Sequence, residues 1–137
     1  MREAKGRVLL DTDVVIDFFT GREPMASEVA RLLADRRACL SAVSGFELRA
    51  GVVGAKRLAA IATFLAAVEI IPVGAPEAER ASSLYTASKI QGRTIGNADL
   101  LIAGTALEHG WPLLTRNVEH FGRVEGLRLA LSLPSEA

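Results

Sequence analysis

Carboxylates and other polar residues recur in this chain where apolar strands should end and helices begin. The stretch RVLLDTDVVIDFF, residues 7–19, runs from β-forming apolar residues straight into Asp11, Thr12 and Asp13, then resumes at helical spacing. This pattern predicts a buried strand that ends in a carboxylate and leads directly into a helix. An unpaired carboxylate is costly to bury, so Asp11 calls for a metal ion, a phosphoryl group or a backbone cap. LSAVSGFELRAG (40–51) brings Ser41, Ser44 and Glu47, and TIGNADLLIAGTA (94–106) brings Asp99 into the first turn of a helix. WPLLTRNVEHF (111–121) ends a strand in Thr115, Arg116 and Asn117. Carboxylates gathered at one place raise one another's pKa. A bound Mg²⁺ or Mn²⁺ resolves that conflict, because hard oxygen ligands and retained waters suit these ions, which can activate water against a phosphodiester.

Such convergence depends on the elements that carry these residues. Short apolar strands are expected at 7–10, 38–41, 68–71, 113–115 and 127–131, and helices at 13–19, 24–36, 44–53, 55–67, 76–91 and 98–109. The alternation argues for an α/β fold, a parallel sheet covered on both faces. In parallel strands Asp11, Thr115 and Asn117 emerge at one sheet edge, where ligands bind in open α/β sheets. Glu47 and Asp99 sit on helices that begin at that edge. The helix at 55–67 is apolar enough to be nearly all buried. The helix near 76–91 turns Ala78, Ala81, Leu84 and Tyr85 inward. No repeat, linker or low-complexity run divides the chain, so one domain spanning residues 1–137 is expected.

Composition narrows the classes. Half the residues are hydrophobic, so a packed core is expected. Lys+Arg and Asp+Glu both total 16, so any nucleic-acid contact comes from a local patch rather than a global field. One cysteine, Cys39, rules out a disulfide framework and a cysteine zinc site, and reads as a small buried hydrophobe. The N-terminal residues carry no signal-peptide pattern, and charges or glycines break every apolar run short of a membrane span. A soluble cytoplasmic protein is the expectation. His109 reads as a helix C-terminal residue before Gly110, and His120 as a surface or partly packed one.

Each acidic residue also has a structural explanation. Asp11 and Asp13 suit helix caps, Asp17 a solvent-facing helix position, Ser44 and Glu47 a capping box, and Asp99 a helix-dipole partner. Independent caps have no reason to converge on one sheet edge, so the set is more informative than its members.

LLDTDVVID, SAVSGFELRAG, NADLLIAGTALEHG and PLLTRNVEHF, in this order, resemble the PIN-domain family, and in particular the VapC-like toxins of type II toxin–antitoxin pairs. The resemblance implies a three-layer α/β/α sandwich with a mostly parallel central sheet. It also implies a Mg²⁺- or Mn²⁺-dependent endoribonuclease, typically a homodimer, with a cognate antitoxin as partner. An acidic cluster in a chain that is neutral overall adds the expectation that this antitoxin silences the enzyme by placing a cation in the carboxylate cleft. Asp11, Glu47 and Asp99 fall at the family's metal-binding positions, with Thr115 and Asn117 completing the catalytic set. Arg116, Thr12 and Ser44 are assigned to the substrate. Asn117 departs from the pattern, since many members carry a fourth acid at that strand end. LLDTDVVID also resembles the first motif of haloacid-dehalogenase-type phosphatases, a reading that needs a lysine at the site. A catalytically weak module that only binds RNA or protein is the other alternative.

The expected apolar helices 24–36 and 55–67 suggest a two-fold interface formed by Met25, Val29, Leu32, Leu58, Ile61 and Phe64, among others.

Overall fold

Val8, Leu9 and Leu10 form β1 (Val8–Leu10), buried along its whole length, in the computed structural model, which describes residues 6–92 and 95–130. The chain continues through α1 (Thr12–Thr20), α2 (Met25–Ala34), β2 (Ala38–Ser41), α3 (Ala42–Ala50), α4 (Ala55–Ala67) and β3 (Glu69–Ile71). It then passes through α5 (Ala75–Ile90), α6 (Asn97–His109), β4 (Leu113–Leu114) and α7 (Val118–Phe121). The four strands are all parallel in the order β3-β2-β1-β4, and helices cover both faces, as the α/β/α expectation requires.

Runs such as VLL and ACL are continuous rather than alternating because this sheet is buried on both sides. The pleat sends neighbours to opposite faces. Val8, Leu10, Ala38, Leu40 and Leu114 meet α1, α2 and α4 through Val14, Val15, Val29, Leu32, Ile61 and Phe64. Leu9, Cys39 and Leu113 meet Ile102, Ala103, Ala106 and Phe121 from α6 and α7. Cys39 is fully buried as expected, and burial pushes its thiol up to about 12. Among the described residues no helix is long and apolar enough to cross a membrane.

Several expected boundaries shift for identifiable reasons. The helix expected at 44–53 occupies 42–50, because the Ser41 hydroxyl accepts from the Val43 amide at 3.0 Å and starts the helix there. Ser44 and Glu47 therefore form no capping box. In place of a strand at 127–131, Leu129 makes a single parallel bridge to Leu113, and residue 131 lies outside the described residues. Helix α4 is amphipathic rather than all buried: Ile61, Phe64 and Leu65 face the core while Leu58 is exposed. Helix α5 packs against α6 through Glu77, Ala81, Leu84 and Ser88; Ala78 and Tyr85 face outward. Gly104 permits that approach, since a Cβ there would stand 2.8 Å from the Ala81 amide nitrogen and 3.0 Å from the Glu77 carbonyl. The buried Glu77 is satisfied by the Gly74 amide at 3.0 Å and by His109 Nε2 at 2.8 Å. The apolar face of α2 (Met25, Val29, Leu32) is spent in this chain's own core, so it leaves no surface for the expected two-fold interface.

Candidate active site

The strand order reverses between β1 and β4, and the register sets which side chains meet there. Leu10 pairs with Leu114, so the next residues, Asp11 and Thr115, leave the sheet side by side. The Asp11 amide donates to the Leu114 carbonyl at 2.9 Å, and the Thr115 hydroxyl donates to Asp11 Oδ2 at 2.7 Å. Asp11 Oδ1 accepts from the Thr12 amide at 2.8 Å, in extended backbone at the start of α1. Asp11 thus caps α1 with one oxygen and is tied across the sheet with the other.

A second arm comes from α3. Thr12 Oγ1 lies 2.8 Å from Ser44 Oγ and 2.6 Å from Glu47 Oε1. A threonine hydroxyl has one proton, so Ser44 donates to Thr12 and Thr12 donates to Glu47. Ser44 is fully buried. Expected at the substrate, it is instead closed off from any ligand and holds Thr12 in place. Asp99 arrives from the first turn of α6, half-buried, where a negative charge suits the helix dipole. His120 Nε2 lies 3.6 Å from Asp99 Oδ2.

Asp17 overturns its expected solvent-facing position. It is 2% exposed, and Arg116 Nε stands 2.7 Å from its Oδ2. The contact is a close ion pair off the N–H axis, since Oδ2 has no hydrogen-bond partner of acceptable angle. Helix α1 turns Asp17 inward on the face it shares with Val14, and β4 delivers Arg116 above it. The Arg116 amide makes a long contact, 3.5 Å, to Asp13 Oδ1. Asn117 is exposed; its backbone amide bonds the Thr115 hydroxyl at 3.0 Å, while its side chain makes no cap to α7.

The electrostatics follow from this geometry. Burial, then the charge of Asp13, pushes the Asp11 carboxyl up to about 7 against the pull of the Thr115 hydroxyl. Asp13 is raised by burial, with Arg116 opposing. Asp99 is raised by burial and by Glu47 and Asp13, with His120 opposing. Asp11, Asp13, Glu47 and Asp99 therefore share one field, with Arg116 on one side and His120 on the other. Among the described residues no three acidic, histidine or cysteine side chains converge tightly enough to cage an ion unaided. Mg²⁺ keeps several waters and takes one or two carboxylates directly. This donor set, all oxygen and in excess negative charge, fits such an ion.

Sequence reasoning missed Asp17, whose period-3.6 neighbours Val14 and Phe18 were the available signal, and His120, which had none. Lys89, which a phosphatase reading would need at the site, sits over the Tyr85 ring on α5.

Comparison with known proteins places the fold among relatives. The PIN domain family model matches residues 8–127. The chain is 32% identical over 127 residues to the tRNA(fMet)-specific endonuclease VapC of Shigella flexneri, covering 89% of this chain and 95% of that protein. It is 28% identical over 133 residues to ribonuclease VapC1 of Methanocaldococcus jannaschii, covering 96% and 90%. Among solved structures, DNA-bound VapBC from Salmonella typhimurium superposes with a TM-score of 0.81 at 22% identity, covering 92% of this chain and 98% of that one. VapBC2 from Rickettsia felis, bound to a promoter DNA fragment, gives 0.76 at 26%, covering 90% and 96%.

Proposed function

The chain belongs to the PIN-domain family, and from that premise we propose that it is a divalent-metal-dependent endoribonuclease, the toxin of a toxin–antitoxin pair. The observation that carries this reading is the Asp11 carboxyl, buried at the sheet's switch point and pushed up to about 7 within the field of Asp13 and Asp99. A fold keeps such a group at a sheet edge where a cation offsets its cost. The ribonuclease relatives supply the substrate class.

Asp11 and Asp99, with Glu47 beside them, would hold Mg²⁺ or Mn²⁺, which supplies Lewis acidity and offsets charge developing on the phosphate. The protein's own groups do the positioning. Thr115 fixes the Asp11 carboxylate, and Ser44 through Thr12 fixes Glu47. Asp17 holds Arg116 by Nε, which leaves the two Nη groups outside that pair to meet a backbone phosphate. Asn117 brings no charge to its strand end, so the acidic set rests on the β1, α3 and α6 residues.

The VapBC complexes among the structural relatives support a cognate antitoxin as partner, a cation of which would compete with metal for Asp11 and Asp99. Two copies of the chain would assemble through the exposed Phe46, Leu58 and Ile70.

The test is single-turnover cleavage of RNA against Mg²⁺ and Mn²⁺ concentration. Asp99→Asn and Glu47→Gln should each lose about a hundredfold or more with an unchanged circular-dichroism spectrum. Full activity in Asp99→Asn with unaltered metal affinity would falsify the assignment.

A further inference from the structure

A cleft of about 350 Å³ opens beside Asp99, between α5, the start of α6 and the turn after α7. None of the groups placed above at the carboxylates uses it, apart from His120 at its border. Its walls combine the apolar Leu84 and Ile95 with the polar Ser88, Gln91, His120, Arg123 and Glu125. The size is at the small end of ligand pockets, about 300–1,000 Å³, so it suits one flat group rather than a folded segment.

His120 connects this cleft to the candidate active site. It lines the cleft, and its Nε2 is 3.6 Å from Asp99 Oδ2. Its ring stands perpendicular to that of the core residue Phe121, with centroids 5.6 Å apart and planes at 88°. An imidazole seated in this way offers a fixed stacking surface next to the place where a phosphate would be cut. Among the described residues Arg123 pairs only with exposed Glu119, at 3.6 Å. Pairs of that kind are weak, which leaves the guanidinium available to a ligand. Single-stranded RNA is read by bases splayed onto His, aromatic or Arg planes, with polar side chains meeting their edges.

We propose that this cleft seats one nucleobase of the RNA, that of a nucleotide flanking the scissile phosphate, between His120 and the Leu84–Ile95 wall, with Gln91 and Arg123 facing its edges. The proposal rests on the endoribonuclease reading and adds a specificity subsite to it.

The experiment uses a short single-stranded RNA that the wild-type protein cuts at one bond, and the same RNA carrying an abasic nucleotide at each flanking position in turn. One abasic position should lower wild-type kcat/KM about tenfold, the scale of one stacked base, mainly through KM. Ala87→Phe, which fills the cleft from α5, where none of Asp11, Glu47 and Asp99 lines it, should lose about the same factor on intact RNA and little more on the abasic one. Gln91→Ala, the milder variant, should change which base is preferred at that position while kcat holds. Asp99-dependent cleavage that is equally sensitive to the abasic nucleotide in wild type and Ala87→Phe, or base preference unchanged in Gln91→Ala, overturns the subsite alone. If the wild type cuts no RNA in either metal, or Asp99→Asn cuts as well as the wild type, the endoribonuclease reading itself fails and the subsite with it.

Discussion

Replacing Asp11 by Asn should stabilise the metal-free protein at alkaline pH and do so progressively less as the pH falls. In the folded chain the carboxyl is raised from 3.8 to about 7, chiefly by burial and next by Asp13. At about 1.4 kcal/mol per pH unit, that displacement corresponds to about 4 kcal/mol against the ionised form. The sign follows from proton binding. Between the unfolded value near 4 and the folded value near 7, the folded chain holds a proton that the unfolded chain has released. Wild-type stability therefore falls as the pH rises through that window. Asn keeps an oxygen for the Thr12 amide and turns an NH₂ toward the Thr115 hydroxyl, which must accept where it now donates at 2.7 Å and leaves its own proton without that acceptor, at about 1 kcal/mol. The net gain is about 3 kcal/mol at pH 8, reaches zero at about pH 4.5 and becomes a loss of about 1 kcal/mol at lower pH. Urea denaturation in EDTA, from pH 4.5 to 8.5, measures both proteins. Adding Mg²⁺ should stabilise the wild type at pH 8 far more than the variant, because metal replaces the proton as the compensating charge. Parallel stability curves, or a variant less stable than wild type at pH 8, would refute the account of Asp11 as a strained carboxylate.

Gly104→Val should lose about 2 kcal/mol or more, read as a lower urea midpoint with an unchanged slope, because its Cβ would press on the Ala81 amide and the Glu77 carbonyl. Arg116→Ala should raise KM for RNA and reduce the salt slope of binding by about one, as loss of one phosphate contact does. It should also cost about 1–3 kcal/mol of stability by stranding the buried Asp17 carboxylate, and an unaltered salt slope would remove Arg116 from the substrate. Light scattering at micromolar concentration should return a dimer that Phe46→Arg converts to monomer, Phe46 being 70% exposed; a monomeric wild type counts against the assembly.

The sequence by itself determined the layered α/β fold and the position of Asp11. Apolar runs bounded by polar residues define strands buried on both faces, and a carboxylate that ends such a run can only emerge at the sheet's carboxyl edge. Asp99 was legible for the same local reason, being three residues into a helix that Gly96 opens. The order of strands was not legible, because it depends on which pair of apolar surfaces packs best across tens of residues. That order, with its Leu10–Leu114 register, is what joins Asp11 to Thr115 over 104 positions. Side-chain direction at helix borders was also beyond the sequence. Asp17 reads as a surface residue until β4 supplies Arg116, and Glu47 reads as a cap until Ser41 takes that role and Thr12 engages the carboxylate. His120 gains its place beside Asp99 only when α6 and α7 come together over the Phe121 core. Local pattern fixes where a charge leaves its own element; tertiary packing alone decides which other charge it meets.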